Sequence, residues 1–298
     1  MLSICIPIFN FNASELIHEL HKQMLACDEK TELIIIDDAS SLVYKEKIKE
    51  VIGSHTYLEL TENIGRAKIR NLFLKYIQYD YLLFLDGDSL IIHPDFIKRY
   101  IQCIKQNEVA IVCGGRIYPT HCPSRKQALS WKYGTFKESK SVFERNQYPN
   151  RSFMTNNFLI QKKIFIQFPF NELLINYGHE DTLFGYQLSK DHISIVHIDN
   201  PILNGDIEMN NIFIDKTEKG IQNLIFICQS LQQDNSFIEN ISLLKTQSFI
   251  KSIHLSIFFR ILFFFLQAPI RKVLESGFAP ILLFNFYKLS YLIKIDRD

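Results

Sequence analysis

The chain has 298 residues, 47% of them hydrophobic and 22% charged, a balance that supplies a sizeable core and excludes a largely disordered protein. Lys and Arg number 33 against 32 Asp and Glu, for a formal net charge of +1, so the basic surplus of a dedicated nucleic-acid binder is missing. The six cysteines include no Cys-x-x-Cys pair, which argues against a zinc site or disulfide framework and for reduced thiols in a cytosolic protein.

In chain order, Leu2 to Phe9 is a short apolar run of strand type, and Ser14 to Leu25 then places Leu16, Ile17, Leu20, Met24 and Leu25 at helical spacing. No basic leader precedes the first run, so a cleaved secretory signal is not expected. Leu33 to Ile36 is a continuous apolar strand ended by Asp37-Asp38-Ala39-Ser40, followed by a charged helix over Leu42 to Ile52 and a strand from Tyr57 to Leu60. Ala67 to Ile77 reads as a helix, Tyr81 to Leu85 as a buried strand, Pro94 to Ile104 as a helix and Val109 to Cys113 as a strand. Apolar strands alternating with helices of about ten residues predict a parallel sheet covered on both faces. In such an open α/β sandwich the ligand sits beyond the carboxyl ends of the strands. Tyr118 to Ser152 is aperiodic, and its Trp131, Tyr133, Phe136 and Tyr148 either stack on a ligand or anchor a loop. From about Asp206 the chain turns helical, with Ile212 to Leu231 first and a strongly apolar stretch after Ser242.

The chemistry gathers where strands end. Tyr81 to Leu85 delivers Asp86-Gly87-Asp88, two carboxylates one residue apart, and such charge at a buried edge calls for a positive partner. A divalent cation with oxygen ligands meets that need and keeps positions open for phosphate oxygens; the bland alternative is an Asp-Gly turn. Asp37 and Asp38 end the second strand, where a carboxylate can accept hydrogen bonds from a base or ribose, and Ser40 can cap the next helix. Phe9 closes the first strand with a ring able to pack near a base. Gly65, Arg66, Lys68 and Arg70 open a helix suited to a negatively charged nucleotide. Glu180-Asp181 stands at a helix start, either as a functional pair or as a complement to the helix dipole.

The series Ile6-Pro7-Ile8-Phe9-Asn10, Asp37-Asp38-Ala39-Ser40, Asn63-Ile64-Gly65 through Ala67 to Arg70-Asn71, and Asp86-Gly87-Asp88 resembles glycosyltransferase family 2, in order and spacing, from residue 2 to about residue 200. The resemblance implies a GT-A fold: an open mixed α/β sheet flanked by helices with a Rossmann-like nucleotide-binding half, here a catalytic domain over 1–205 followed by an α-helical extension over 206–298. It implies that Pro7 and Phe9 line the nucleoside pocket, that Asp38 binds uracil, and that Gly65 and Arg70 lie along the nucleotide. Asp86 would face ribose and metal, and Asp88 would be the principal ligand of Mn²⁺ or Mg²⁺. Asp181 resembles the family's general base, with Glu180 orienting the acceptor. Asn156 and Asn157 stand where the family lines the sugar pocket, and His197 or Asn204 stands where the family often carries a His near the diphosphate.

The implied reaction is inverting, metal-dependent transfer from a nucleotide-diphosphate sugar, UDP-linked by the same resemblance, to a saccharide or lipid-linked acceptor in bacterial surface polysaccharide or glycolipid synthesis. A nucleotidyltransferase and a non-catalytic sugar-nucleotide-binding subunit are the alternatives. In the apolar C-terminal region, Arg260 and Pro269 interrupt a run already short of the roughly 20 residues a bilayer span requires. Basic residues around it suggest peripheral docking on the anionic inner face of a cell membrane; packing on the catalytic domain or a dimer contact is the other reading.

Overall fold

The computed structural model describes residues 1–106, 109–174 and 177–296. Its elements begin with β1 (Leu2–Ile8), α1 (Ser14–Leu25), β2 (Thr31–Asp37), α2 (Leu42–Val51), β3 (Thr56–Glu59), α3 (Arg66–Leu72), β4 (Tyr81–Leu85), β5 (Ser89–Ile91), α4 (Phe96–Gln106), β6 (Ile111–Cys113) and β7 (Arg116–Ile117). They continue with α5 (Ala128–Tyr133), α6 (Val142–Gln147), β8 (Asn157–Gln161), α7 (Lys162–Gln167), α8 (Glu180–Lys190), β9 (Ile195–His197) and β10 (Ile202–Asn204). Five helices follow: α9 (Asn210–Ser230), α10 (Asn235–Asn240), α11 (Ser242–Ser252), α12 (Ser256–Glu275) and α13 (Ile281–Ile295).

The chain divides into two units. The first, residues 1–118, 139–174 and 180–206, holds both sheets. Seven strands run in the order β3-β2-β1-β4-β8-β6-β9, and a small sheet runs β5-β10-β7. The expectation of a parallel sheet holds for β3, β2, β1 and β4, but β8 pairs antiparallel with both β4 and β6, so the sheet is mixed. Pairing direction depends on the distant partner, and the apolar run of β8 is silent about it.

β1 shows why the sheet is two-sided. Ile4, Ile6 and Ile8 pack with Leu16, Ile17 and Leu20 of α1 and Phe96, Ile97 and Ile101 of α4. Cys5 joins the opposite cluster, with Ile34, Ile36, Phe84, Phe165 of α7 and Phe184 of α8. The β1–β4 ladder stops at Cys5–Phe84, whereas β1–β2 pairing continues to Ile8–Asp37. Pro7, which has no N–H to offer, therefore stands beyond the end of the β1–β4 ladder. β1 and β4 part there, and the chain order also reverses there, which is where open α/β sheets bind ligands.

Gly114, after β6, is a point of close approach. A Cβ there would collide with Asn200 O, Tyr100 Oη and Asn157 Nδ2. All three belong to a buried network in which Tyr100 Oη donates to Asn157 Oδ1 (2.6 Å) and Asn157 Nδ2 donates to Gly115 O and Asn200 O (2.9 Å each). Gly114→Ala is expected to cost about 3 kcal/mol, the upper range for overpacking, measured as a lowered urea midpoint at unchanged slope.

The second unit comprises residues 119–138, 177–179 and 207 onward. Asn210 ties its segments together: its Oδ1 accepts from Leu129 N (2.9 Å) and its Nδ2 donates to Arg125 O (3.1 Å) and Glu275 O (3.2 Å). Tyr133 packs between Phe213 of α9 and Phe284 of α13, with ring centroids 5.6 Å away in each case. Trp131 donates its indole N–H to Pro119 O at 2.7 Å. These two aromatics anchor the aperiodic stretch rather than stack on a ligand, while Phe136 and Tyr148 are exposed.

Candidate active site

The carboxyl edge of the large sheet collects the loops after β1, β2, β4 and β6 and the start of β8, because β8 runs opposite to its neighbours. The loops after β1 and β2 are laced together. Asn10 N donates to Ser40 Oγ (2.7 Å), Ser41 N donates to Asn10 Oδ1 (2.9 Å), and Asp38 N donates to Ile8 O (2.8 Å). Pro7 is half-buried and the Phe9 ring is exposed at this lip.

Asp37 is fully buried and structural: its Oδ1 accepts from Ser40 N (2.6 Å) and its Oδ2 from Tyr57 Oη (3.3 Å). Asp38 is also buried, and its two oxygens accept from Ile64 N (2.7 Å) and Gly65 N (3.1 Å). Burial raises its pKa and these two backbone donors oppose the shift. Asp38 therefore holds the turn before α3 in place. Gly65, at φ 83°, lets that turn open directly into the helix with its first N–H groups turned outward.

Arg70, on α3, is buried and donates from Nη2 to Asp86 Oδ1 (2.6 Å) and from Nη1 to Arg66 O (3.1 Å). Among the described residues its Nε has no hydrogen-bond partner, a buried donor that an anion at this edge would satisfy. Asp86 is further fixed by its N–H, which donates to Asn156 O (3.2 Å). Asp88 accepts at its backbone oxygen from Gly205 N (2.9 Å), which joins the loop after β10 to the Asp-Gly-Asp turn. Its carboxylate lies 3.9 Å from Arg116 Nη2. Burial pushes the pKa of Asp88 up to about 6, with Asp86 and Asp206 adding to the rise and Arg116 and Arg66 opposing it. Excess negative charge in a recessed place favours a cation there.

Among the described residues no group of three or more His, Cys, Asp or Glu side chains is arranged to hold a metal ion. Two carboxylates completed by phosphate oxygens and water nevertheless match the usual magnesium set, and hard oxygen donors match Mg²⁺ and Mn²⁺. Asp86 and Asp88 fit such an ion on that donor chemistry.

Glu180 and Asp181 form the first turn of α8, and Asp181 Oδ1 accepts from Thr182 N at 2.7 Å. Aromatic packing links α8 to α3: Phe184, one turn after Asp181, stacks on Phe170 (4.6 Å, 26°), and Arg70 lies over the same Phe170 ring at 5.9 Å. Gly185 is needed because a Cβ would strike Asn150 O.

The remaining candidates separate. Asn156 is buried just before β8, and among the described residues neither its Oδ1 nor its Nδ2 has a partner, so its amide stays available. Asn157 points to the opposite face, where Tyr100, Gly115 and Asn200 use its amide completely; a sugar-pocket role is corrected to a structural one. His197 is corrected likewise. Its Nδ1 accepts from Arg145 Nη1 (3.0 Å) and its Nε2 donates to Pro149 O (2.9 Å), and burial lowers its pKa to about 4. A neutral, doubly engaged imidazole in the core reaches no diphosphate. Asn204 serves indirectly, with Oδ1 accepting from Arg116 Nη2 (2.7 Å) and Nδ2 donating to Asp206 O (2.9 Å). Arg116 itself was missed in the sequence because it sits in a two-residue strand without periodicity. The Gly114-Gly115 pair before it is the one local signal of a close backbone approach.

Comparisons with known proteins show the family and the fold. The family model for glycosyl transferase family 2 matches residues 3–174. An 87-residue stretch is 39% identical to poly-β-1,6-N-acetyl-D-glucosamine synthase of Staphylococcus aureus (strain COL), covering 27% of this chain and 20% of that protein. The match thus spans about a fifth of the relative's length. Among solved structures, a mannosyltransferase from Pyrobaculum calidifontis in complex with GDP-Man and Mn²⁺ superposes with a TM-score of 0.55 at 13% identity, over 76% of this chain and 64% of that one. S. aureus TarS 1–349 in complex with UDP gives 0.51 at 18% identity, over 98% and 90%. At such identities the likeness is one of fold.

Proposed function

Because the chain belongs to glycosyltransferase family 2 and has the GT-A fold, we propose that it transfers a sugar, with inversion, from a UDP-sugar to a saccharide or lipid-linked acceptor. The observation that carries the reading is the Asp86-Gly87-Asp88 turn at the parting of β1 and β4, with Arg70 beside one carboxylate and Arg116 near the other.

Pro7, Phe9 and Asp38 hold the nucleoside, and Asp38 keeps lone pairs for a base N–H while it braces the turn at Gly65. Arg70 and Arg116 face the diphosphate, and Asn156 offers its unpaired amide to the sugar or diphosphate. Asp86 and Asp88 would hold Mn²⁺ or Mg²⁺, which as a Lewis acid neutralises the leaving diphosphate when bound. Glu180 orients the acceptor, and Asp181 takes the proton from its hydroxyl. The acceptor oxygen bonds to the anomeric carbon as the bond to the diphosphate breaks on the opposite face. UDP leaves and the anomeric configuration is inverted. The setting we propose is synthesis of a bacterial surface polysaccharide or glycolipid on the cytoplasmic side.

A panel of UDP- and GDP-sugars screened by thermal shift, with Mn²⁺ and with chelator, tests the donor class. Metal-dependent stabilisation by UDP-sugars is expected; stabilisation by GDP-sugars alone overturns the uridine assignment. Arg116 supplies a sharper check. Its guanidinium shares Asp88 with any incoming cation, so Arg116→Gln is expected to leave Mn²⁺ affinity of the nucleotide-free protein unchanged or raised. UDP affinity in Mn²⁺ is expected to fall roughly tenfold, as for loss of one charge-assisted contact. A parallel loss of both, read by calorimetry, assigns Arg116 to holding the fold instead.

A further inference from the structure

α12 carries an apolar face that none of the described residues covers. Ile257, Phe258, Ile261, Phe264 and Phe265 recur at positions i, i+1, i+4, i+7 and i+8, which puts them on one stripe of the helix, and each is 57–73% exposed. The opposite side is the packed one. Phe263, Ile270 and Leu274 are buried, Phe263 meets Tyr287 of α13 at 5.3 Å, and Arg260 donates to Ile293 O (2.9 Å) and Asp296 O (2.6 Å). The helix therefore has a core-facing stripe and, directly across from it, a second apolar stripe left to solvent. Contiguous exposed patches of this kind mark an interaction surface.

Charge selects the occupant. Residues 242–296 hold seven Lys or Arg against two Asp or Glu, in a chain whose total is only +1. Glu275 and Asp296 are paired with Arg271 and Lys251, Arg271 also meets Asp215 and Glu218, and Lys245 meets Glu239, so Lys272 and Lys294 are the exposed cations of this stretch with no acidic partner among the described residues. Lys272 is exposed at the carboxyl end of the apolar stripe, where its stem can lie on hydrocarbon while its ammonium reaches water. A two-fold contact would bring this same basic surface against itself, since such an interface uses one patch twice. A protein partner of that symmetry is disfavoured; an anionic surface is not.

Among the described residues no single helix is long and apolar enough to cross a bilayer. α11 and α12 pass that test only as a pair, and they are bent by 118°. Arg260 and Pro269 lie inside α12 itself. A helix of this shape lies in the interface rather than through it.

We propose that the Ile257–Phe265 stripe of α12 seats the protein on an anionic lipid surface, its rings in the acyl boundary and the ammonium of Lys272 at the headgroups. The proposal goes beyond the sugar-transfer reading and stands without it, because binding to lipid is measured with no substrate present.

The full chain is tested by sedimentation with phosphatidylcholine vesicles, with and without a phosphatidylglycerol fraction. Binding is expected only with phosphatidylglycerol, weakening several-fold between low salt and about 0.5 M salt as charges are screened. Phe264→Asp with Phe265→Asp is expected to lower binding at least tenfold while leaving the circular dichroism spectrum unchanged. Phe265→Trp, a mild change at an exposed position, keeps the question open should the acidic pair fail to fold. Its added emission is expected to shift blue on phosphatidylglycerol vesicles and to be quenched by brominated lipid. No binding to phosphatidylglycerol at low salt, or an unshifted indole signal from the Phe265→Trp variant, overturns the proposal. So does a dimer in light scattering that dissolves in the acidic pair, which would assign the stripe to a second copy of the chain.

Discussion

Asp181→Asn is expected to lower turnover by about 100-fold or more while donor affinity changes by less than about threefold. The asparagine keeps the size of the side chain and can still accept from Thr182 N, which bonds Asp181 Oδ1 at 2.7 Å, so the start of α8 should stay as it is. What it loses is the capacity to take a proton. A base acts on the acceptor hydroxyl as transfer occurs, so its removal raises the barrier without weakening the ground-state complex. Glu180, the preceding residue, is the natural source of rescue, and Glu180→Gln combined with Asp181→Asn belongs in the same assay. Near-normal transfer by the single variant, with a matched donor and acceptor, would reduce Asp181 to a helix-start charge and move the search for the base to Glu180.

Asp88→Asn is expected to bring UDP affinity in Mn²⁺ down to the level measured with chelator, a loss on the order of 100-fold, or about 2.8 kcal/mol. Asp88 is the better position for this experiment than Asp86. Asp86 is paired at 2.6 Å with a buried Arg70, and removing it would leave that guanidinium uncompensated in the core, which confuses binding with stability. Arg116, 3.9 Å from Asp88 and bonded to Asn204, retains a partner when Asp88 is neutralised. Calorimetry that gives equal UDP affinity with Mn²⁺ and with chelator, in the unmutated protein, would overturn the metal assignment itself.

The residues that were legible in the sequence lie where a local pattern breaks sharply. The runs of β1, β2 and β4 are apolar to the last residue or nearly so and then turn polar within one or two positions, so Phe9, Asp38 and Asp86 identify themselves as edge residues. Glu180-Asp181 opens a periodic helix, and α8 begins there. What stayed hidden depends on partners far along the chain. Asn156 and Asn157 are chemically identical neighbours, yet strand alternation sends one to an unpaired position and the other to Tyr100, 57 residues away. His197 resembles a ligand until Arg145, 52 residues away, takes its Nδ1. Arg116 acquires meaning from β10, whose Asn204 holds it. Long-range pairing of this kind leaves no trace in a window of ten residues.

The chain enters the helical unit three separate times, at residues 119–138, at 177–179 and from 207 onward. A protein threaded in this manner has no seam at which the tail can be exchanged. A piece ending at residue 206 would strip Leu129 N–H of Asn210 and Tyr133 of both Phe213 and Phe284, baring the packed side chains of an insert in the middle of the polypeptide. Recombination that swaps one tail for another must therefore replace the 119–138 insert as well. The two segments are bound to be inherited together, although β8, β9 and β10 of the sheet-bearing unit lie in the interval between them.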